Sequence, residues 1–234
     1  MAAPGITLET VSVWRGAALV LGKELRAEWR TRELLNTTVV FVLMVVVLFS
    51  FTFDPSDAAS RRYAAGLLWL AFLFAGSLML HPSFGREQVN DTIYLLRMAP
   101  VDPFAVLLGK VLANFLFMTL AEWLLLPVFA VLFNVSIWGV VLELMLILAL
   151  GTLGLAITGT MFSAMSAQAR MRELLLPLLL LPILTPVLIA SVEATAALLK
   201  DPAELLRTPL KFLAGFNVIF FTASYFLYDY LSEE

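Results

Sequence analysis

The sequence predicts an all-α integral membrane protein with six transmembrane helices. The 234-residue chain is 61% hydrophobic and 14% charged, whereas soluble domains are roughly 45–50% apolar and about 25% charged. Several stretches free of Asp, Glu, Lys and Arg reach the length of about 20 residues that a bilayer-spanning helix needs. Because backbone groups in hydrocarbon require internal partners, and these stretches are too long for barrel strands, we predict helices.

The apolar stretches define the predicted spans and a single membrane domain. We predict spans over residues 34–53 and 63–85, two spans within 104–165 joined by a turn at 134–136, a fifth span over 174–199 and a sixth over 210–230. The domain therefore covers residues 34–230, preceded by a polar or mixed segment at 1–33 and followed by a short acidic tail at 231–234.

The distribution of basic residues predicts the orientation. Of the 15 lysines and arginines, ten lie in the N-terminal arm and in or beside the second and fourth loops, and five lie on the opposite side. Cytoplasmic loops carry the excess of Lys and Arg. We therefore predict that both termini are cytoplasmic.

Residues 1–33 are predicted to form an amphipathic cytoplasmic helix. Apolar side chains recur there at steps of three and four residues, at Leu8, Val11, Trp14, Ala18, Leu21, Leu25 and Trp29. Basic residues occupy mainly other faces, which favours a helix at the membrane surface, attracted by anionic headgroups. A helix packed on the protein's own cytoplasmic face is the alternative.

The second loop, residues 85–103, is long and has a pattern of its own. Asp91 or Thr92 can cap a short helix, which places Val89, Ile93 and Leu96 on one side before prolines at 100 and 103 end it. Such a cytoplasmic amphipathic helix is either a docking surface or a helix resting on the bundle.

Four charged residues interrupt the apolar stretches. Lys110 lies near the cytoplasmic end of its span, from which its side chain can extend to the surface. Glu122 is the deepest, and Glu143 and Glu193 lie nearer the other side. Charges at such depth mark either a structural carboxyl that is hydrogen-bonded to a neighbouring helix, a transport path or a re-entrant segment.

Glycines and prolines mark two spans. Gly151, Gly154 and Gly159 are expected to allow close helix packing in the fourth span. Prolines at 177, 182 and 186 predict a kinked or broken fifth span. The lone His81, at a helix end before a proline, is more typical of a structural residue than of a haem ligand.

Several function classes are disfavoured. A net charge of −3 gives no basic field for nucleic acid. With no cysteine and one histidine, thiolate sites, multi-histidine metal sites and the H-E-x-x-H motif are excluded. Neither a G-x-x-x-x-G-K-[ST] phosphate loop nor a G-x-S-x-G nucleophile motif is present. We expect a non-enzymatic subunit without a resident metal or cofactor.

Three stretches resemble the haem exporter protein B (CcmB) family, whose members are ABC-2-type membrane subunits of cytochrome c maturation. The first is F-G-R-E-Q-V-N-D-T-I-Y-L-L-R-M-A-P at 84–100 with L-G-K at 108–110, similar to the family's coupling loop. The second is L-G-T-L-G-L at 150–155, continuing to Gly159. The third is the proline-punctuated span from Arg172 through 174–190 to 194–197. The chain departs from the family in having Asn-Asp and Ile-Tyr at 90–91 and 93–94, where Asp-Gly and Leu-Glu are common.

The resemblance implies partners and a mechanism. It implies an inner-membrane homodimer bound to two copies of a separate ATPase, which binds ATP and Mg²⁺, beside a haem-handling membrane subunit, a small single-span subunit and a periplasmic haem chaperone. ATP hydrolysis would drive haem delivery or release of the loaded chaperone. The predicted ATPase-coupling residues are Arg86, Glu87, Val89, Asp91, Ile93, Tyr94, Leu96, Arg97 and Met98.

Three alternatives remain open from the sequence. An ABC-2 permease exporting a lipid or another amphiphile would share the fold. A non-transporting scaffold would only hold the haem-handling subunit. An ion-coupled secondary transporter would use Glu122 and Glu143, although no halved repeat of the hydropathy pattern is evident.

Overall fold

The protein is described by a computed structural model over residues 12–52, 58–80, 101–166, 172–200 and 207–233. These ranges form seven α-helices and one short 3₁₀ turn, Trp138–Val140. The helices are α1 Val13–Thr31, α2 Glu33–Thr52, α3 Ala58–Leu80, α4 Pro103–Leu132, α5 Val141–Ser166, α6 Arg172–Lys200 and α7 Arg207–Glu233.

Six of these helices, α2 to α7, are long and apolar enough to cross a membrane. They match the six predicted spans, so the all-α membrane fold is confirmed. The predicted turn between the third and fourth spans is also confirmed, since α4 ends at Leu132 and Asn134 adopts a positive φ of 49°. We refer to the end of the bundle at residues 133–140 as the turn end and to the opposite end as the α1 end.

Helix α5 is the centre of the bundle. It packs against α3, α4, α6 and α7, whereas α2 contacts mainly α3 and α4. In α2 only Thr38, Val42 and Val46 are buried. Exposed apolar side chains on α2 and α7 therefore face the surroundings of the bundle, as expected for a protein whose solvent is lipid.

Local sequence explains where two of the helices begin. Asp102 accepts a hydrogen bond from the Phe104 amide at 2.8 Å, and Pro103 occupies the first helical position of α4, where its missing N–H costs nothing. Between α1 and α2, Arg32 follows the end of α1 and adopts a left-handed conformation (φ 52°). The buried Glu28 carboxylate of α1 accepts a hydrogen bond from the Leu35 amide of α2 at 2.9 Å.

The three prolines of the fifth span do not break it. Helix α6 continues without interruption through Pro177, Pro182 and Pro186, so a broken helix, one form of the prediction, is wrong. Membrane helices accommodate proline because their neighbours restore lost backbone interactions.

Candidate functional site

The predicted ATPase-coupling residues lie outside the described residues. Arg86, Glu87, Val89, Asp91, Ile93, Tyr94, Leu96, Arg97 and Met98 all fall in the segment 81–100, as does His81. Both flanks of that segment are described: Leu80 ends α3, and Val101 precedes α4.

The N-terminal helix uses two different faces. Gly16, Ala17 and Val20 are buried against the first turns of α4, where a Cβ on Gly109 would lie 2.6 Å from the Val20 Cβ. The predicted apolar stripe lies on another face, and its Trp14 and Trp29 are 77% and 78% exposed. Helix α1 therefore packs on the bundle, as the alternative interpretation expects, and presents two tryptophans outward. Its position at the membrane surface stays a prediction, and Leu8 and Val11 of the stripe lie outside the described residues.

An ion pair joins α1 to α4. The Lys110 ammonium lies 3.0 Å from the Glu24 carboxylate, and Lys23 lies 3.1 Å from the same oxygen. Lys110 is only 1% exposed, so the expectation that its side chain extends to the surface is wrong; the glycine-lined contact brings α1 over it. Burial raises the pKa of Glu24, but the ammonium groups of Lys110 and Lys23 outweigh burial and hold the pKa below its ordinary value of 4.5.

Two further polar contacts join α4 to α5 inside the membrane-spanning part. The Asn114 side chain donates to the Thr160 hydroxyl at 2.8 Å, and eight residues further along α4 the buried Glu122 carboxyl accepts from the Thr152 hydroxyl. Both pairs fit one antiparallel register, which places Met118 opposite Ala156 between them. Lys110, Asn114 and Glu122 thus stand at multiples of four residues along α4. We call this set the polar stripe.

The three membrane carboxyls predicted as candidates are not brought together. Glu122 is 3% exposed and contacts α5. Glu143 is half-buried in the first turn of α5, nine residues before Thr152, or about 14 Å along the helix. Glu193 on α6 is exposed. Glu122 and Glu143, which the ion-coupled alternative invokes, are therefore not in contact.

Glycines on α5 bring the neighbouring helices into close contact, as predicted. A Cβ on Gly151 would lie 2.2 Å from the Trp69 ring, one on Gly154 would lie 2.9 Å from the Asn217 amide oxygen, and one on Gly159 would lie 2.1 Å from Leu80. The three positions contact α3 and α7, with Ser191 of α6 also 2.7 Å from the Gly151 position.

Neutral hydrogen bonds surround the same part of α5. The Trp69 indole donates to the Thr195 hydroxyl at 2.9 Å, and the Asn217 side chain donates to the Leu150 carbonyl at 2.9 Å. With Glu122 and Thr152 these groups lie within about 16 Å of the turn end, counted along their helices. We call these groups, which stand on five helices, the polar layer.

Sequence reasoning missed most of these contacts. Glu24, Asn114, Thr152 and Thr160 were not candidates, and Glu122 was considered without its partner. The available signal was the spacing of four between Lys110, Asn114, Met118 and Glu122, which puts three polar residues in one row of α4. Among the described residues, no group of three His, Asp or Glu side chains is suited to hold a metal ion.

The fold and site define a class: a multi-pass all-α membrane protein with a surface helix ion-paired to its bundle. Within that class, the chain belongs to the CcmB family, whose model matches residues 15–229. It is 34% identical to heme exporter protein B of Rhodobacter capsulatus, over 84% of this chain and 88% of that protein. It is 32% identical to the Pseudomonas aeruginosa protein of that name, over 78% and 82%, and 31% identical to the Paracoccus denitrificans one, over 85% and 90%.

Proposed function

We propose that this chain is the membrane permease subunit of an ABC transporter complex that serves cytochrome c maturation. The observation that carries the proposal is the family match over residues 15–229, together with relatives named heme exporter protein B that align along most of their length. The six membrane-spanning helices are consistent with such a subunit. We place it in the bacterial inner membrane with both termini cytoplasmic.

The subunit converts ATP-driven motion of a partner into movement of its own helices. The chain has no phosphate-binding loop, so ATP and Mg²⁺ are bound by a separate ATPase subunit. We propose that two such subunits dock on the residues between Arg86 and Met98 of a homodimer. Closure of the ATPase then moves this segment, provided that its two states contact the segment differently.

The complex acts on haem, which in this proposal is held by partner subunits. The chain contains one histidine and no cysteine, so it offers few haem ligands of its own. We propose that a haem-handling membrane subunit, a small single-span subunit and a periplasmic chaperone accompany it. ATP hydrolysis then drives haem delivery or release of the loaded chaperone.

Affinity purification of the tagged chain in mild detergent tests this proposal. The co-purifying proteins are identified by mass spectrometry, ATP hydrolysis is assayed, and bound haem is recorded from its absorption spectrum. An ATPase together with a haem-bearing membrane protein supports the proposal. An ATPase without any haem protein indicates an exporter of a lipid or another amphiphile, and absence of any ATPase contradicts the ABC assignment.

A pair of variants tests the docking segment. Ile93→Asp and Leu96→Asp should sharply reduce co-purification of the ATPase while the chain still inserts into the membrane, because they place charges on the apolar side of the predicted helix. Leu142→Asp is a matched control, since Leu142 is exposed at the turn end, where no ATPase contact is proposed. Unchanged co-purification with the two loop variants would place docking elsewhere.

A further inference from the structure

A single residue joins α1 to α2, which is long and apolar enough to cross a membrane. That residue, Arg32, adopts a left-handed conformation. The buried Glu28 carboxylate of α1 also accepts from the Leu35 amide, which fixes the last turn of α1 to the first turn of α2. Residues 25–32, which we call the elbow, therefore lie within about 12 Å of the point where α2 begins, at about 1.5 Å per helical residue.

The elbow carries an apolar pair and a basic pair on its outward side. Leu25 and Trp29 are exposed and stand four residues apart, so they share one face of α1. Arg26 and Arg30, also exposed and four residues apart, share the adjacent face. Neither arginine forms an ion pair with a described residue. The Arg32 guanidinium lies 5.5 Å from the centre of the Trp29 ring, so a third cation stands beside the same tryptophan.

The charges of α1 are divided between its two sides. In residues 12–32 every exposed charged side chain is basic. The two glutamates of α1 are turned inward, Glu24 to the buried Lys110 and Glu28 to α2. The nearest exposed acid is Glu33 in the first turn of α2, where the helix dipole favours a negative group. The exposed guanidinium groups of the elbow therefore outnumber the exposed carboxylate beside it.

We propose that the elbow binds the headgroup of an anionic phospholipid from the surrounding membrane. Arg26 and Arg30 contact the phosphate, since guanidinium groups match its charge and geometry. Trp29 and Leu25 lie beside the glycerol and the upper acyl chains, the level that tryptophan prefers in membranes. Basic residues immediately beside a membrane-spanning helix attract anionic lipids in the same way.

The position of the elbow distinguishes a lipid from other anionic partners. An acidic face of a soluble protein would match the arginines. It would not account for an exposed tryptophan and leucine within two turns of the start of a membrane-spanning helix. The inference depends only on the membrane fold and needs neither the ATPase nor haem, so it can fail without affecting the proposed function.

Fluorescence quenching by brominated lipid tests the elbow. The full-length chain is reconstituted in phosphatidylcholine vesicles in which a rising share of the lipid is either brominated phosphatidylglycerol, which is anionic, or brominated phosphatidylcholine. Because the chain has five tryptophans, the Trp29 signal is taken as the difference between the intact chain and Trp29→Phe. Phosphatidylglycerol should quench this signal at a share at least about fivefold lower than phosphatidylcholine, since each basic residue near an anionic surface contributes about fivefold in affinity.

Matched arginine variants locate the site. Arg26→Gln with Arg30→Gln should lower the preference for phosphatidylglycerol by about fivefold or more, whereas Arg26→Lys with Arg30→Lys keeps the charge and should retain most of it. Arg15→Gln is the control, because it removes an exposed arginine from the same face about 16 Å further along α1 and should change the preference less than about twofold.

Three results would contradict the site. The first is a Trp29 signal that neither lipid quenches, which would place the elbow in water or against a protein. The second is equal quenching by the two lipids in the intact chain, or a preference that survives Arg26→Gln with Arg30→Gln. The third is an equal loss from Arg15→Gln, which would show a diffuse basic face in place of a site at the elbow.

Discussion

Helices are held together by different side-chain chemistry in two regions, the α1–α4 contact and the surroundings of α5. At the α1 end of the bundle, Lys110 and Glu24 join two helices as an ion pair. Around α5, Gly151 and Gly159 admit the Trp69 ring and Leu80, and the hydrogen bonds involve tryptophan, threonine and asparagine. The first contact therefore depends on two opposite charges, whereas the contacts around α5 depend on close fit and on hydrogen bonds between polar side chains.

The largest expected effect comes from filling a glycine contact at α5. Gly151→Ala should destabilise the bundle by about 3 kcal/mol or more, because the new Cβ would lie 2.2 Å from the fully buried Trp69 ring. Gly66→Ala is the matched control: nothing lies within 4 Å of its Cβ position, so helix propensity should give a small gain of about 0.5–1 kcal/mol. Thermal unfolding in one detergent measures both. Similar losses of stability in the two variants would show that the close contact between Gly151 and Trp69 is not the cause of the loss.

The next largest loss of stability is expected at the ion pair between Glu24 and Lys110. Glu24→Gln should cost about 2 kcal/mol, the value of a hydrogen bond between charged groups, because Lys110 is buried beside it. Lys23→Gln should cost less than about 1 kcal/mol, since the Lys23 side chain is 48% exposed. Chemical denaturation of the purified protein compares them. A larger loss of stability from the Lys23 variant would mean that Lys23, rather than Lys110, is the more important partner of Glu24.

The ion pair also predicts a pH dependence. Because the folded pKa of Glu24 is lowered, its contribution to stability is fully present above the unfolded value and is lost as the pH falls through the folded pKa, which lies below 4.5. The stability difference between wild type and Glu24→Gln should therefore be constant near neutral pH and close only in acid. A gap that closes on the alkaline side would contradict this assignment.

A smaller effect is expected at the buried hydrogen bond between Thr152 and Glu122. Thr152→Val removes the hydroxyl that donates to Glu122 while preserving volume, and should cost about 1 kcal/mol, the usual range for hydrogen bonds between membrane helices. Thr152→Ser keeps the donor and should lose less. Equal thermal stability of the two variants would mean that the hydroxyl contributes nothing.

The smallest effect on stability is expected at the outward face of α1. Trp14→Phe should change the unfolding temperature little, because Trp14 is 77% exposed and outside the contact with α4. In vesicles, however, brominated lipid should quench Trp14 fluorescence if this face lies at the membrane interface. Identical quenching of wild type and Trp14→Phe would place the face in water instead.

The sequence predicted the fold well because the signals it used are local. Long apolar runs with few charges define α2 to α7, and the turn at 134–136 follows from a polar interruption of an apolar region. The same local information was wrong in part for α6: the prolines predicted a kinked or broken helix, and the break is absent because α6 is continuous from Arg172 to Lys200.

The site was predictable only in part. Lys110 and Glu122 stood out because charge is rare in apolar stretches, and the α5 glycines because small residues favour packing. Their partners could not be identified, since tertiary packing brings Glu24 to Lys110 across 86 residues of chain and Thr152 to Glu122 across 30. The Trp69 ring beside Gly151 is in turn held by Thr195, 126 residues away. The sequence predicted the exposed apolar stripe of α1, whereas the face that packs on α4 consists of Gly16, Ala17, Val20 and Glu24, which do not form an extended hydrophobic pattern.

Formation of c-type cytochrome is the most direct measurement of the central claim. In a bacterium whose own copy of this chain is deleted, covalently bound haem is quantified by haem-dependent peroxidase staining of membrane and periplasmic proteins. We predict that c-type cytochromes disappear, return with the intact chain, and stay absent when the partner ATPase cannot hydrolyse ATP. Normal c-type cytochromes in the deletion strain would contradict a role in their maturation, and normal levels with the inactive ATPase would indicate a scaffold.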